Sequence, residues 1–152
     1  MFYFILMNTQ IHATCISFQK IGVLIQGPSG AGKSDLALRL ISEGGTLVAD
    51  DRVTLKNQGK SLIASAPKEL AGLIEVRDIG ILKMKFQTEC FVSLIVNLTK
   101  VRSVNRLPLP KFTKINNITI PVLKLFPFDP STTCKLQIAL KIINGEIWRI
   151  DD

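Results

Sequence analysis

A glycine-rich octet, Gly27-Pro28-Ser29-Gly30-Ala31-Gly32-Lys33-Ser34, constrains the fold of this chain more than any other stretch. An apolar run rich in β-branched residues, 21–25, precedes it, and apolar residues at helical spacing follow it. Strand, glycine-rich turn and helix in this order are typical of a phosphate-binding loop, because glycines let successive N–H groups converge on phosphate oxygens. The sequence therefore predicts that residues 27–35, including Asp35 in the first helical turn, contact a nucleotide.

The last two residues of the octet indicate how the phosphates are held. Lys33 adds a positive charge, and the Ser34 hydroxyl would hold a Mg²⁺ that bridges the β- and γ-phosphates. The helix predicted over residues 34–43 points its positive end at the same anion. ATP and Mg²⁺ are therefore the expected cofactors, although the loop alone predicts no more than nucleotide binding.

Two adjacent carboxylates, Asp50 and Asp51, follow the next predicted strand, Thr46–Ala49. In a parallel βαβ unit that strand ends beside the phosphates. One carboxylate can hold Mg²⁺ through its waters, and the other can accept the proton of an attacking hydroxyl group. Adjacent side chains of a strand face opposite ways, so either the strand has ended or only one reaches the site. A plain Asp-Asp turn is the alternative.

Three further residues are candidates for the site. His12 is the only histidine and could shuttle protons near neutral pH, but a lone histidine is more often a packed or surface residue. Glu75 and Arg77, one residue apart, would share a strand face and could offer a metal ligand and a phosphate clamp. A surface ion pair is the alternative for these two.

The order of the patterns predicts one α/β domain with a mixed sheet. At 152 residues and 47% hydrophobic composition, residues 11–152 fit a single catalytic domain, and residues 1–10 are interpreted as an extension that includes an over-called translation start. We expect a loop at 106–117. The other predicted elements are strands 21–25, Thr46–Ala49, 52–55, 61–64, Leu73–Val76, 79–84, 91–98, Ile118–Leu125 (interrupted at Pro121) and 146–150, a helical turn at 67–72, and helices 34–43 and 131–143, the latter capped by Ser131.

Charge and cysteine use bound the partners and the compartment. The net charge is +7, and every charged residue in the stretch 91–127 is basic. These basic residues have no interleaved aromatic platform for stacking bases, so no nucleic-acid partner is expected. These basic residues form either a solvated face of the protein or a face that docks a partner. The apolar start is too short to span a bilayer, so we expect a cytoplasmic protein without membrane contact. Cys15, Cys90 and Cys134 are expected to be buried free thiols.

Four segments together resemble a known family. They are His12-Ala-Thr-Cys, Gly22 to Leu40, Leu47-Val-Ala-Asp-Asp-Arg-Val53, and Leu73-Ile-Glu-Val-Arg-Asp-Ile-Gly-Ile-Leu82. Over about residues 11–143 the chain resembles the catalytic domain of HPr kinase/phosphorylase, in the short form found in alphaproteobacteria. The resemblance implies a P-loop-containing, phosphoenolpyruvate carboxykinase-like α/β fold with a mixed sheet flanked by helices, and a homo-oligomer, which is a hexamer in long members.

The resemblance also implies an activity and residue roles. The activity is ATP- and Mg²⁺-dependent phosphorylation of a serine of the phosphocarrier protein HPr, or of its nitrogen-system counterpart. The matching residues are His12 as the active-site histidine, Lys33 as the loop lysine, Ser34 and Glu75 as magnesium ligands, Asp51 as the proton acceptor, and Asp50 as its neighbour.

One segment departs from the family pattern. Where the family usually reads Pro-Val-Arg-Pro-Gly-Arg-Asn, a segment associated with removing phosphate from the phosphorylated protein, this chain reads Leu125-Phe-Pro-Phe-Asp-Pro-Ser131. Both arginines are missing, and Phe126 offers no cation to recognise a phosphate. We expect phosphorolysis to be weak or absent.

Two other functions are compatible with the phosphate loop. A small-molecule kinase of the shikimate or gluconate type needs an arginine-rich lid, which Arg102 and Arg106 could mimic. A catalytically inactive regulator would sense ATP and dock a two-component regulator. Intact Asp51, Glu75 and His12 favour an active enzyme over the second alternative.

Overall fold

The structure is a computed structural model that describes residues 8–102 and 105–150. A 3-10 turn covers Lys68–Leu70. The remaining elements, in chain order, are β1 (Asn8–His12), β2 (Thr14–Phe18), β3 (Ile21–Gln26), α1 (Lys33–Ser42), β4 (Thr46–Ala49), β5 (Arg52–Gln58), β6 (Ser61–Ser65), β7 (Leu73–Val76), β8 (Gly80–Lys83), β9 (Glu89–Leu98), β10 (Lys111–Ile115), β11 (Ile118–Leu125) and α2 (Thr132–Ile143).

A large mixed sheet organises the molecule around β9. The strand order is β1-β5-β6-β9-β3-β2-β4, and the hairpin β10–β11 joins through β11. β9 pairs in parallel with β3 on one side; on the other it pairs with β6 antiparallel near its start and with β11 in parallel near its end. β7 and β8 form a separate two-stranded sheet. The predicted mixed sheet, with 91–98 inside it, is confirmed.

Two apolar clusters lie on opposite faces of the curled sheet. One cluster joins the sheet to α1, α2 and β7, and it buries Leu36, Leu40, Leu136, Leu140 and Ile74. The other cluster is formed by residues of β2 to β6, β9 and β11, together with Ala13 between β1 and β2. The predicted α/β fold with helices against a mixed sheet is confirmed, and α1 is attached to the core by the apolar face that the sequence indicated.

The loop predicted at 106–117 is wrong for Lys111–Ile115, which forms β10 and pairs antiparallel with β11. Asn116 and Asn117 connect the two strands, with φ of 50° and 65°. Asparagine tolerates this left-handed conformation, and two such residues in a row are typical of a type I′ hairpin turn. β11 continues through Pro121, and its pairing with β9 begins only at Val122. Pro121 therefore interrupts no pairing between β9 and β11.

The strand predicted at 146–150 is also wrong. Gly145 turns the chain with φ of 73°, and the N–H groups of Glu146 and Ile147 both bond to the carbonyl of Lys141. These bonds cap the C-terminus of α2, so the donors are not available to a sheet.

The start of α2 also differs from the prediction. Ser131 occupies the N-cap position, but its side chain makes no capping hydrogen bond. Of the predicted apolar face, Ile143 remains 36% exposed.

The cysteines are free thiols, but only two are buried. Cys15 and Cys90 lie in the core with their Sγ atoms 3.5 Å apart, whereas Cys134 lies exposed on α2, which corrects the expectation for that residue. The hydrogen bond between the two thiols, together with burial, raises the pKa of Cys15 well above its ordinary value. The interpretation of residues 1–10 stays a prediction: residues 1–7 lie outside the described residues, and 8–10 belong to β1.

Candidate active site

Two chain crossings create the corner at which the site lies. The chain crosses from β1 to β2 at one point and from β4 to β5 at the other. Because β1 pairs with β5 and β2 pairs with β4, the two crossings lie side by side. One crossing is Ala13, the other is Asp50-Asp51, and the Ala13 N–H donates to the Asp51 carbonyl at 3.3 Å. β3 and β4 run parallel with β2 between them, so the end of β4 lies near the phosphate loop without direct pairing to β3.

The Asp50 carboxylate is the centre of the polar contacts at this corner. It is only 7% exposed, and its Oδ1 accepts hydrogen bonds from the hydroxyls of Thr14 at 2.9 Å and Ser34 at 2.8 Å. Its Oδ2 accepts a longer contact, 3.4 Å, from the backbone N–H of Glu75. A buried carboxylate needs such donors to offset its loss of water. Asp50 therefore links the phosphate loop to β2 and β7.

The glycine-rich octet, the expected phosphate loop, lies between strand β3 and helix α1, in the order that the sequence predicts. Gly32 adopts a φ of 101°, a left-handed conformation favourable to glycine, and α1 begins at the next residue. The Lys33 ammonium group bonds to the carbonyl oxygens of Gly27 at 2.7 Å and Pro28 at 3.0 Å. The lysine thus closes over its own loop. Pro28, Ser29, Gly30 and Asp35 are exposed, and the other loop residues are half-buried.

Asp51 and His12 lie together on the exposed side of the corner. Asp51 has a φ of 66°, which is uncommon for a residue with a side chain, and it lies after the last residue of β4. The strand has therefore ended, the first of the two options that the sequence left open. His12 ends β1, where it is in register with Arg52, the residue after Asp51. Both Asp51 and His12 are exposed.

Glu75 reaches the corner through its backbone, and its side chain is exposed on β7. Arg77 lies in the turn after β7, so the expectation that it shares a strand face with Glu75 is wrong. Within residues 8–102 and 105–150, no group of three or more His, Cys, Asp or Glu side chains forms a metal site. The hydroxyl and carboxylate oxygens of Ser34, Asp50 and Glu75 are nevertheless the donors Mg²⁺ prefers, and Mg²⁺ bound to nucleotide phosphates needs few protein ligands.

Comparison with known proteins assigns the family. The family model described as "HPr Serine kinase C-terminal domain" matches residues 5–144. The chain belongs to this family. HPr kinase/phosphorylase from Geobacillus kaustophilus is 34% identical over 155 residues, which cover 94% of this chain and 50% of the relative. The Clostridium botulinum protein of the same name is 45% identical over 75 residues, 49% of this chain and 25% of that protein.

A solved structure agrees with the family assignment. The HPr(Ser) kinase/phosphatase from Coxiella burnetii has a TM-score of 0.78 and 28% identity, covering 91% of this chain and 99% of that one. The chain spans about half or less of the length of the curated relatives described above. The description of the family, a serine kinase domain, does not favour the small-molecule kinase, and Arg102, one of the two arginines that could mimic its lid, forms an ion pair with Asp129 at 2.7 Å.

The segment in which this family member departs from the usual pattern, residues 125–131, lies directly against the phosphate loop. A Cβ placed on Gly32 would lie 3.0 Å from the Phe128 ring. Arg39 of α1 donates to the carbonyl oxygen of Pro127 and, at 3.0 Å, to that of Asp129. The guanidinium of Arg39 therefore fixes this segment beside the loop.

Sequence reasoning missed Thr14, Arg39 and the packing role of Phe128. Thr14 and Arg39 are inside the segments that carry the resemblance, and their position there was the one available signal. Both act on residues far along the chain, 36 positions away for Thr14 and 88 for Arg39. Local patterns do not reveal such pairs.

The basic stretch was left open between a solvated face and a docking face. Arg102, Arg106, Lys111 and Lys124 line one cavity of about 770 Å³, together with Lys135. Asp129 is the acidic residue in this lining, and it is paired with Arg102. Both readings stay open. No helix among the described residues is long and apolar enough to cross a bilayer.

Proposed function

We propose that this chain is an ATP- and Mg²⁺-dependent protein-serine kinase whose substrate is a phosphocarrier protein of the HPr type. The observation that carries the proposal is the position of Asp50, which is bonded to the phosphate-loop serine and to β7 while its neighbour Asp51 remains exposed. This arrangement offers a buried anchor for the metal-binding side and an accessible carboxylate for the incoming substrate.

In the proposed reaction the serine hydroxyl of the phosphocarrier attacks the γ-phosphorus of ATP. The bond from that phosphorus to the β,γ-bridging oxygen breaks, ADP leaves, and Asp51 accepts the hydroxyl proton. Lys33 would exchange its bonds to the Gly27 and Pro28 carbonyls for phosphate oxygens. Ser34, Glu75 and Asp50 would hold Mg²⁺, which neutralises phosphate charge when bound. His12, beside Asp51, would assist the proton transfer.

The remaining assignments have supports of different kinds. An HPr-type partner is supported by the names of the relatives, and the nitrogen-system counterpart fits the same chemistry. A homo-oligomer stays a proposal that derives from the resemblance. A cytoplasmic location stays a proposal that rests on the apolar start being too short to span a bilayer, and a two-component regulator as second partner belongs to the alternative of an inactive ATP sensor. The inactive ATP sensor is less favoured, because the exposed Asp51 and His12 and the Asp50 contacts form an intact site.

Two substitutions test the residue roles. Asp51→Asn removes the proton acceptor, and Lys33→Ala removes the phosphate-binding cation, so each should reduce phosphoryl transfer to the carrier at least about 100-fold. Glu69→Gln, which neutralises an exposed carboxylate in the 3-10 turn and lies outside the proposed site, is the matched control and should change the rate by less than about threefold. Circular dichroism spectra should be unchanged for all three variants. Near wild-type rates for Asp51→Asn would refute its role as the base.

A further inference from the structure

An aromatic ring stands exposed at the wall of the phosphate loop. Phe128 is 58% exposed, although a ring of this size normally stabilises a fold by being buried. Its Cζ and Cε1 atoms lie 3.0 Å and 3.2 Å from the place where Gly32 would carry a Cβ. One edge of the ring therefore touches the loop that is expected to hold the phosphates, and the rest faces solvent.

The backbone on both sides of Phe128 is fixed by hydrogen bonds. Arg39 donates to the carbonyls of residues 127 and 129, and the Thr132 hydroxyl donates to the Phe126 carbonyl at 2.7 Å. These bonds hold the segment against α1, the same helix that begins at the phosphate loop. The backbone that carries the ring is thus fixed beside the loop, and a backbone fixed in advance is the preorganisation that a binding surface needs.

A second aromatic ring, that of Phe126, packs against Phe128. Phe126 meets Phe128 edge to face, with ring centroids 5.7 Å apart and planes at 80°. The Arg102 guanidinium lies over the Phe126 ring at 5.4 Å from its centroid and is bonded to Asp129. Phe126 is therefore engaged by Arg102 and Phe128, whereas most of the Phe128 surface is open beside the loop.

We propose that Phe128 stacks on the nucleobase of the nucleotide bound at the phosphate loop. The inference rests on the proposed function, since it requires ATP at residues 27–34. A nucleoside is attached to the phosphates, so a ring in contact with the loop itself is within its reach. Every base offers a π-face, and Phe128 has no polar atom with which to distinguish base edges. Phe128 therefore increases affinity for nucleotides in general and does not select adenine over guanine.

Comparison of ligands with and without a base separates stacking from loop packing. We would measure the binding of Mg-ATP, Mg-GTP and Mg-tripolyphosphate by calorimetry for the wild type, Phe128→Ala and Phe128→Trp. Phe128→Ala should bind ATP and GTP about 30-fold more weakly, the middle of the range for one base on one aromatic ring, and tripolyphosphate within about twofold of wild type. Phe128→Trp should bind nucleotides at least as tightly as wild type. Phe112→Ala, an exposed phenylalanine on the edge strand β10, is the matched control and should change none of these affinities.

The outcomes distinguish the failure of this inference from the failure of the proposed function. A wild-type protein that binds neither ATP nor tripolyphosphate would overturn both. If the wild type binds both ligands, equal losses for ATP and tripolyphosphate in Phe128→Ala would show that the ring only shapes the loop. Unchanged affinity for all ligands would show that the base does not touch it. Either result would overturn the stacking assignment.

Discussion

Thr14→Val tests the contact that places Asp50. The Thr14 side chain is fully buried, and its hydroxyl donates to Asp50 Oδ1 at 2.9 Å. Valine keeps the shape and removes the donor. A hydrogen bond to a charged group contributes about 1.5–3 kcal/mol to stability. Because the bonds from Ser34 and Glu75 remain, we expect the free energy of unfolding to fall by about 1.5 kcal/mol, the lower end of that range. For a domain of this size, that loss lowers the melting temperature by about 3–6 °C.

The same substitution should also slow phosphoryl transfer. Asp50 holds Ser34 and the start of β7 in place, so loss of one of its donors should reduce kcat by about 10-fold. Thr14→Ser is the control, because it keeps the hydroxyl and loses one buried methyl group, which costs about 0.8 kcal/mol. Its rate should stay near that of the wild type even though its stability falls.

A double-mutant cycle with Asp50→Asn isolates the contact. Chemical denaturation of the wild type, both single variants and the double variant should give a coupling free energy of at least about 0.5 kcal/mol, as found for residues in direct contact. Additive effects in this cycle, or equal rates for Thr14→Val and Thr14→Ser, would refute the reasoning that Thr14 positions Asp50.

Three further predictions concern residues 125–131, which depart from the family pattern, and the thiols. Inorganic phosphate should release little pyrophosphate from the phosphorylated carrier with this enzyme, because residues 125–131 contain no cation; ready release would contradict this. Iodoacetamide should modify Cys134 in the native protein and Cys15 only after unfolding. The Cys15 thiol has a raised pKa when folded, so its contribution to the free energy of unfolding should persist below the ordinary value of 9.0 and decline at higher pH, as measured by urea denaturation at several pH values.

Local sequence patterns were sufficient for the elements that surround the phosphate loop. The octet, the β-branched run before it and the apolar spacing after it each reflect interactions within a few residues, and β3, the loop and α1 follow from them. The hairpin at Asn116-Asn117 also had a local signal, two asparagines flanked by β-branched isoleucines, but the basic and proline-containing stretch before it favoured a loop.

The inner part of the site could not be predicted because it depends on distant residues. Asp50 and Asp51 were identified as a pair, but their separation into a buried anchor and an exposed carboxylate depends on the chain crossing at Ala13. The predicted strand 146–150 failed for a related reason, since a strand needs a partner edge and the end of α2 binds those N–H groups first.

The most direct test of the central claim is transfer of labelled γ-phosphate from ATP to a purified HPr-type protein. The proposed function predicts label on the carrier with the wild-type chain, and none when the target serine of the carrier is replaced by alanine or when Lys33→Ala is used. A folded, ATP-binding wild-type protein that leaves the carrier unlabelled would contradict the assignment as a protein-serine kinase.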